Sequence, residues 1–195
     1  MTSVDAGLVE ILRSRQADMT AQLSELVSRE SPSDDLGLLA RCAEAVASLG
    51  RSLLGEAPQV VEAGGRSHLL WRIGPAPSVI LVGHYDTVWP AGTLARWPFE
   101  VDGGRATGPG AFDMKAGIVQ LFHALAVLPI GAQAGSSGVA VVLTADEELG
   151  SPTSRRLIEE TAAGGRAALV LEPSARGALK VARKGTSMYE VRAVG

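Results

Sequence analysis

The run Val-Ile-Leu-Val-Gly-His-Tyr-Asp occupies residues 79–86 and places an unbroken apolar stretch directly before a histidine and an aspartate. Two later runs follow the same pattern, Val-Ala-Val-Val-Leu-Thr-Ala-Asp-Glu-Glu at 139–148 and Ala-Leu-Val-Leu-Glu-Pro at 168–173. Short apolar runs without polar alternation are typical of strands buried on both faces, as parallel strands are. The three runs therefore predict parallel strands over Val79–Val82, Val139–Leu143 and Ala168–Leu171.

Helical patterns precede and separate these strands. Apolar residues recur every three or four positions over Leu8–Val27, which predicts one long helix that ends before Ser31-Pro32. We expect a second helix to begin after Asp34 or Asp35 and to stop at Gly50. Further strands are predicted over Gln59–Glu62 and His68–Ile73, and further helices over about Met114–Leu128 and Thr153–Ala163. This alternation predicts an α/β fold with a mostly parallel mixed sheet flanked by helices.

Composition limits the classes of function. The chain has 195 residues, of which 46% are apolar, and a formal net charge of −3. Its 18 Lys and Arg residues are scattered, so no nucleic-acid partner is predicted. No run of about 18 apolar residues occurs, so no membrane span is predicted either. Cys42 is the one cysteine and excludes an internal disulfide, so we expect a soluble, cytoplasmic protein.

Acidic residues and one histidine follow the predicted strands at the points where each strand ends. In open α/β sheets, ligands bind at the carboxyl ends of the strands, so we expect these side chains to gather along one edge. One more carboxylate, Asp113, comes from a glycine-rich turn at residues 108–113 that leads into a helix. The candidate site residues are, in chain order, His84, Asp86, Asp113, Glu147, Glu148 and Glu172.

Such a cluster of carboxylates predicts a metal site. Crowded carboxylates raise each other's pKa strongly unless a cation neutralises them, and a shared carboxylate can hold two ions about 3.5–4 Å apart. Histidine and carboxylate ligands without cysteine fit Zn²⁺ in a hydrolytic site, with Co²⁺ or Mn²⁺ as substitutes. Asp86, two residues beyond His84, is placed to accept its second ring N–H. Glu147, beside Glu148, is placed to take a proton from water.

Each residue also has a structural interpretation. Asp146-Glu147-Glu148 is typical of a solvated helix start, Asp113 of an N-cap and Lys115 of a solvated charge in a first helical turn. His68 lies inside a predicted strand and His123 inside a predicted helix, so we expect neither to be a ligand. No G-x-G-x-x-G or Walker loop follows a strand, which argues against a nucleotide-binding domain. A non-catalytic metal-binding α/β module stays open as an alternative to an enzyme.

Four segments occur in one order along the chain. They are Gly83-His84-Tyr85-Asp86-Thr87-Val88, then residues 108–117, then residues 146–151, then Glu172-Pro173. Together they resemble the co-catalytic di-zinc metallopeptidases, which include glutamate carboxypeptidases, acetylornithine deacetylase, succinyl-diaminopimelate desuccinylase and aminoacylases. Residues 87–99, with Thr-Val-Trp-Pro-Ala-Gly-Thr-Leu and Trp-Pro-Phe, are most similar to the glutamate carboxypeptidase branch.

The resemblance implies a role for each candidate residue. The implied zinc ligands are His84 and Glu172 for the first ion, Glu148 for the second, and Asp113 as the bridge. Asp86 would orient His84, Glu147 would be the general base, and the peptide bond from Asp113 to Met114 would be cis. The implied activity is hydrolysis of an amide bond in a small peptide or N-acyl amino acid. Release of a C-terminal glutamate is the leading expectation, and N-acyl-amino-acid deacylation is the alternative.

The resemblance also implies a longer protein. Family members are similar in running to nearly twice this length, with a lid domain that forms a homodimer and a later segment that gives the second zinc another histidine. We therefore expect this chain to be an N-terminal portion that is nearly inactive alone. Residues 1–183 would belong to the catalytic domain and residues 184–195 to the first strand of the lid. Strand propensity over Ala178–Val181 and Thr186–Val194 accompanies this boundary.

Overall fold

The computed structural model describes residues 3–128, 130, 138–174, 177–182, 185 and 189–193. The strands are β1 (Gln59–Ala63), β2 (Arg66–Ile73), β3 (Pro77–His84), β4 (Glu100–Asp102), β5 (Arg105–Thr107), β6 (Gly138–Thr144) and β7 (Ala167–Val170). The helices are α1 (Ser3–Ser14), α2 (Gln16–Val27), α3 (Leu36–Leu54), α4 (Ala116–Val127) and α5 (Arg155–Ala162).

Five strands form the central sheet, in the order β1-β2-β6-β3-β7. β2 pairs antiparallel with β1 and with β6, whereas β3 pairs parallel with both β6 and β7. Of these five strands β2 alone runs in the opposite direction. The predicted α/β class and mostly parallel mixed sheet are therefore confirmed, and the five strands predicted between residues 59 and 171 all form.

Helices cover both faces of this sheet. On one face α2, α3 and α4 enclose the larger core, in which Trp71 and Phe122 meet edge to face with ring centroids 5.2 Å apart. On the other face Leu157 and Ile158 of α5 pack against a smaller apolar cluster. Because β3 and β6 lie inside the sheet under both layers, their side chains are apolar on both faces.

The predicted helix over Leu8–Val27 is wrong in one respect, because the chain leaves helical geometry at Arg15. The hydroxyl of Ser14 donates to the carbonyl of Ile11 at 2.7 Å, and the amide of Arg15 turns back to Leu12 at 3.2 Å. Side-chain bonds of this kind compete with the helical backbone pattern. The result is two consecutive helices, α1 and α2.

The predicted stop of the next helix at Gly50 is also wrong. Asp35 caps α3, since its Oδ1 accepts from the amide of Leu38 at 2.9 Å, but the helix ends at Gly55, whose φ is 79°. Gly50 lies inside the helix, at a position where a Cβ would come within 2.5 Å of the Trp71 side chain. Close packing, rather than helix termination, requires this glycine.

A small hairpin of β4 and β5 was not predicted. Its strands pair antiparallel around Gly103-Gly104, whose φ values of 53° and 78° suit a tight hairpin turn. The hairpin belongs to the long connection between β3 and α4.

The chain beyond β7 differs from the sequence expectation. Residues 178–181 form no strand, and the side chains of Leu179 and Val181 are 88% and 93% exposed, so the apolar pattern there is not covered by the described part of the chain. Of the strand predicted over Thr186–Val194, residues 189–193 are described and form no strand, and the other four positions lie outside the described residues. The domain boundary at residues 183 and 184 lies there too and stays a prediction. Within the described ranges, no helix combines the length and apolar character needed to cross a membrane.

Candidate metal centre

The carboxyl ends of β3, β6 and β7 meet at one edge of the sheet because these strands are parallel neighbours. His84 is the last residue of β3, and Glu172 follows β7. Glu147 and Glu148 open a short helical turn after β6. Asp113 reaches the same edge from an irregular turn that precedes α4. The fold thus explains why residues distant in sequence share one site.

Three side chains form a tight group. One ligand atom from each of His84, Asp113 and Glu172 lies within 4.8 Å of the others. Nε2 of His84 is 3.3 Å from Oδ1 of Asp113 and 3.2 Å from Oε1 of Glu172. Imidazole nitrogen and carboxylate oxygens are the ligands that zinc takes in hydrolytic sites.

The orientation of His84 fits a cation between these groups. The side chain is 1% exposed, and its Nδ1 donates to the backbone carbonyl of Asp86 at 3.0 Å. With Nδ1 as the donor, the lone pair of the neutral ring lies on Nε2. Among the described residues Nε2 has no hydrogen-bond partner, although two carboxylates face it. A buried nitrogen without a partner is costly, so these residues fit a bound metal ion.

Asp86 connects the ends of β3 and β6. We predicted that its carboxylate accepts the second ring N–H of His84, but the backbone carbonyl is the acceptor and Oδ1 stays 3.4 Å from Nδ1. The buried carboxylate instead accepts from the amides of Glu147 and Glu148, both at 3.2 Å. Its third donor is the hydroxyl of Ser33 at 2.7 Å, a contact that sequence reasoning missed.

The two glutamates after β6 lie at the border of the group. Oε2 of Glu147 is 3.9 Å from Nε2 of His84, and the Glu147 side chain is 43% exposed. This carboxylate therefore faces both the group and solvent. The group defined by the described residues leaves out Glu148, whose amide is held by Asp86. Burial raises the pKa of both glutamates above the ordinary value.

Negative charge dominates the group. Burial by itself would lower the pKa of His84, but with no cation between these groups the neighbouring Asp86 and Glu172 raise it to about 11. The contact with His84 lowers the pKa of Glu172, whereas burial and the charge of Glu172 raise the pKa of Asp113. A divalent cation would relieve the repulsion between these carboxylates.

Two buried side chains, Lys115 and Met114, hold the turn that carries Asp113 in place. Lys115 is buried, not solvated as predicted, because its Nζ donates to the carbonyls of Leu26 at 3.1 Å and Arg29 at 2.8 Å at the end of α2. Sδ of the buried Met114 accepts from the amide of His84 at 3.2 Å. The peptide bond between Asp113 and Met114 is cis.

The other two histidines take no part in the group. Nε2 of His68 lies 3.0 Å from Oγ1 of Thr153, and Nε2 of His123 lies 2.7 Å from Oε1 of Gln22. Both side chains are buried and locally hydrogen-bonded.

Comparison with known proteins identifies the family. The sequence pattern of Peptidase family M20/M25/M40 matches residues 80–188, more than half of the chain. The match contains the end of β3, the turn with Asp113, and Glu172. This chain belongs to the M20/M25/M40 peptidase family. The membership confirms the family expected from the four sequence segments.

Curated relatives in this family carry two different names. The chain is 35% identical to carboxypeptidase G2 of Pseudomonas sp. (strain RS-16) over 120 residues, 60% of this chain and 29% of the relative. It is 38% identical to succinyl-diaminopimelate desuccinylase of Aromatoleum aromaticum (strain DSM 19018 / LMG 30748 / EbN1) over 132 residues, 64% of this chain and 33% of the relative. The chain thus matches about a third of the length of these relatives.

Solved structures support the fold of the family. The M20 family metallo-carboxypeptidase Sso-CP2 from Sulfolobus solfataricus gives a TM-score of 0.66 at 18% identity, covering 78% of this chain and 36% of that chain. Human carnosine dipeptidase 1 gives a TM-score of 0.65 at 20% identity, covering 84% of this chain and 40% of that chain. At these identities the similarity shows a shared fold and nothing finer.

Proposed function

We propose that this chain carries the metal centre of an amidohydrolase that cleaves an amide bond in a small peptide or an N-acyl amino acid. One observation carries the proposal: the buried His84 directs its Nε2, which has no hydrogen-bond partner among the described residues, at carboxylate oxygens of Asp113 and Glu172. Membership of a peptidase family supports the same chemistry.

Zinc is the metal that this donor set fits best, with Co²⁺ or Mn²⁺ as substitutes. The first ion would be held by His84, Asp113 and Glu172, and the second by Asp113 and Glu148. When bound, zinc polarises a carbonyl group and increases the acidity of water. We expect the first ion to bind more tightly, because the second has two carboxylates as its ligands among the described residues.

Glu147 would be the general base. Its carboxylate takes a proton from the attacking water as the new C–O bond forms, then delivers the proton to the amine nitrogen as the C–N bond breaks. The raised pKa of this carboxyl favours the first transfer, because it makes the carboxylate a stronger base. Asp86 holds the Glu147 amide at 3.2 Å and so keeps the base beside the group.

For the substrate, we propose a peptide or N-acyl compound from which a C-terminal glutamate is released. The similarity to carboxypeptidase G2 and the segment at residues 87–99 support this choice. The similarity to relatives named succinyl-diaminopimelate desuccinylase favours a second candidate, deacylation of an N-acyl amino acid.

Zinc stoichiometry and amide hydrolysis, measured on one sample, test the proposal. We expect about one tightly bound zinc per 195-residue chain, with hydrolysis of N-acyl-glutamate and N-succinyl amines assayed on this chain and on any longer product of its gene. Zinc binding without hydrolysis by the longer product would leave a metal-binding module and contradict the enzyme. Absence of zinc binding would overturn the site itself.

A further inference from the structure

A buried chain of hydrogen bonds lies directly behind Glu147. The amide of Ala145 donates to Nδ1 of His68 at 3.3 Å, and Nε2 of His68 lies 3.0 Å from Oγ1 of Thr153. The hydroxyl of Thr153 donates to Oδ2 of Asp146 at 2.7 Å. This series of hydrogen bonds therefore starts at Ala145 and ends at Asp146, the two residues that immediately precede Glu147.

The donors in this series of hydrogen bonds have one consistent arrangement. A backbone amide can only donate, so Nδ1 of His68 is the acceptor and Nε2 carries the ring proton. That proton is donated to Oγ1 of Thr153, whose own proton is directed to Asp146. Burial lowers the pKa of His68, which agrees with a neutral ring in this position. The imidazole is thus held in a single tautomer.

Asp146 links this series of hydrogen bonds to the turn that follows β6 and restricts the position of that turn. Its buried Oδ2 also accepts from the amides of Thr153 at 2.6 Å and Ser154 at 3.1 Å. Its backbone carbonyl accepts from the amide of Ser151 at 2.9 Å. From the opposite side, Asp86 accepts the amides of Glu147 and Glu148. The turn with the two glutamates is therefore held between two buried carboxylates.

We propose that His68 and Thr153 are positioning residues that act through Asp146 to hold Glu147 and Glu148 at the metal centre. The inference rests on the proposed function, because Glu147 matters here as the general base. His68 and Thr153 touch neither the His84 group nor a reacting atom. Their effect is to fix where the chain leaves β6.

The matched variants are Thr153→Val and Thr153→Ser, since valine keeps the shape and removes the hydroxyl while serine keeps the hydroxyl. Thr161→Val is the control, because the Thr161 hydroxyl is buried without a hydrogen-bond partner among the described residues. His68→Gln, which keeps a donor near the Nε2 position, is a second conservative variant. Thermal unfolding verifies that each variant folds.

The first readout is independent of catalysis. In nitrogen NMR of the metal-free chain, His68 should be protonated on Nε2 and not on Nδ1. In Thr153→Val, hydrogen exchange at the amides of Glu147 and Glu148 should accelerate about tenfold, while Thr153→Ser and Thr161→Val match the unchanged chain. Unchanged exchange in Thr153→Val, or a His68 proton on Nδ1, overturns the proposal.

The second readout separates positioning from stability. In the active form of the protein, Thr153→Val should lower kcat by about 10–100-fold with KM unchanged, as for other groups that orient a metal site from outside it, and Thr153→Ser should restore kcat. Faster exchange with unchanged kcat overturns the positioning role. Full activity of Glu147→Gln would instead overturn the proposed role of Glu147 as general base, and the exchange data would still decide whether the hydrogen bonds of His68 and Thr153 hold the turn.

Discussion

The hydroxyl of Ser33 donates a 2.7 Å hydrogen bond to Oδ2 of Asp86, although 53 residues separate them in sequence. Both side chains are buried. The backbone supports the contact, because the amide of Thr87 donates to the carbonyl of Ser31 at 2.8 Å. The segment between α2 and α3 is therefore part of the support of the metal centre, through the same carboxylate that holds the amide of Glu147.

Replacement of Ser33 should consequently weaken metal binding. In Ser33→Ala, Asp86 loses one of the three donors that the described residues give its carboxylate. Zinc affinity measured by competition with a chelator should therefore fall about tenfold. Ser31→Ala is the control: its hydroxyl is equally buried but donates to the carbonyl of Tyr85 at 2.6 Å instead. Equal affinities for the two variants would contradict a role of Ser33 at the site.

Asp113 should be the residue on which metal content depends most. Asp113→Asn removes the carboxylate that lies 3.3 Å from His84 Nε2 and that would bridge both ions. Elemental analysis of reconstituted protein should therefore show almost no zinc. Asp102→Asn, on the exposed β4 strand, should retain the zinc of the unchanged chain. Zinc retained by Asp113→Asn would remove this residue from the ligand set.

Glu147→Gln should separate metal binding from turnover. The amide keeps the size of the side chain but accepts no proton, so kcat should fall by about 10²–10⁴ while zinc content stays the same. Glu148→Gln should instead weaken the second metal site, which would then need a higher zinc concentration to fill. If activity survives in Glu147→Gln, another group is the base.

The sheet was predictable because its inner strands are unbroken apolar runs that end in Gly, His or acidic residues. The helix boundaries were less predictable where packing between distant segments decides them. Gly50 has the local signature of a helix stop, and only the Trp71 and Phe122 side chains beside it explain why the helix continues.

The candidate site was predictable to the same extent and for the same reason. Residues at the ends of parallel strands, such as His84 and Glu172, can be recognised because they directly follow an apolar run in the sequence. Ser33 and Thr153 carry no such signal, because their partners Asp86 and His68 are 53 and 85 residues away. Hydroxyl groups of this kind acquire a role only from the folded arrangement.

Gly50→Ala should destabilise the fold. A Cβ would lie 2.5 Å from Cζ2 of Trp71 and 2.9 Å from Cζ of Phe122, and such overpacking costs about 1–3 kcal/mol of the free energy of unfolding. Gly7→Ala in α1 meets nothing within 4 Å and should stabilise the helix by up to about 1 kcal/mol. Urea unfolding should show a lower free energy of unfolding for Gly50→Ala and a higher one for Gly7→Ala, both relative to the unchanged chain. Equal stabilities would mean that the α3–β2 contact is looser than the structure shows.

His68 should make stability depend on pH in the acidic range. Burial lowers the pKa of His68 from 6.5, with Arg66 acting in the same direction and Asp146 and Glu62 opposing it. The unfolded chain therefore binds a proton at a higher pH than the folded chain does. This contribution to stability is complete above about pH 6.5 and is lost as pH falls below that value, with a slope of up to about 1.4 kcal/mol per pH unit.

The difference between the unchanged chain and His68→Gln isolates this effect, because every other titrating group is common to both. Urea unfolding at intervals from pH 7.5 down to pH 5 should show the two free energies of unfolding converging as the solution becomes more acidic. The convergence follows because only the folded chain with His68 disfavours a protonated ring, since Nδ1 of His68 accepts a hydrogen bond from the amide of Ala145. A constant difference across this range would mean that His68 has the same pKa in the folded and unfolded chain.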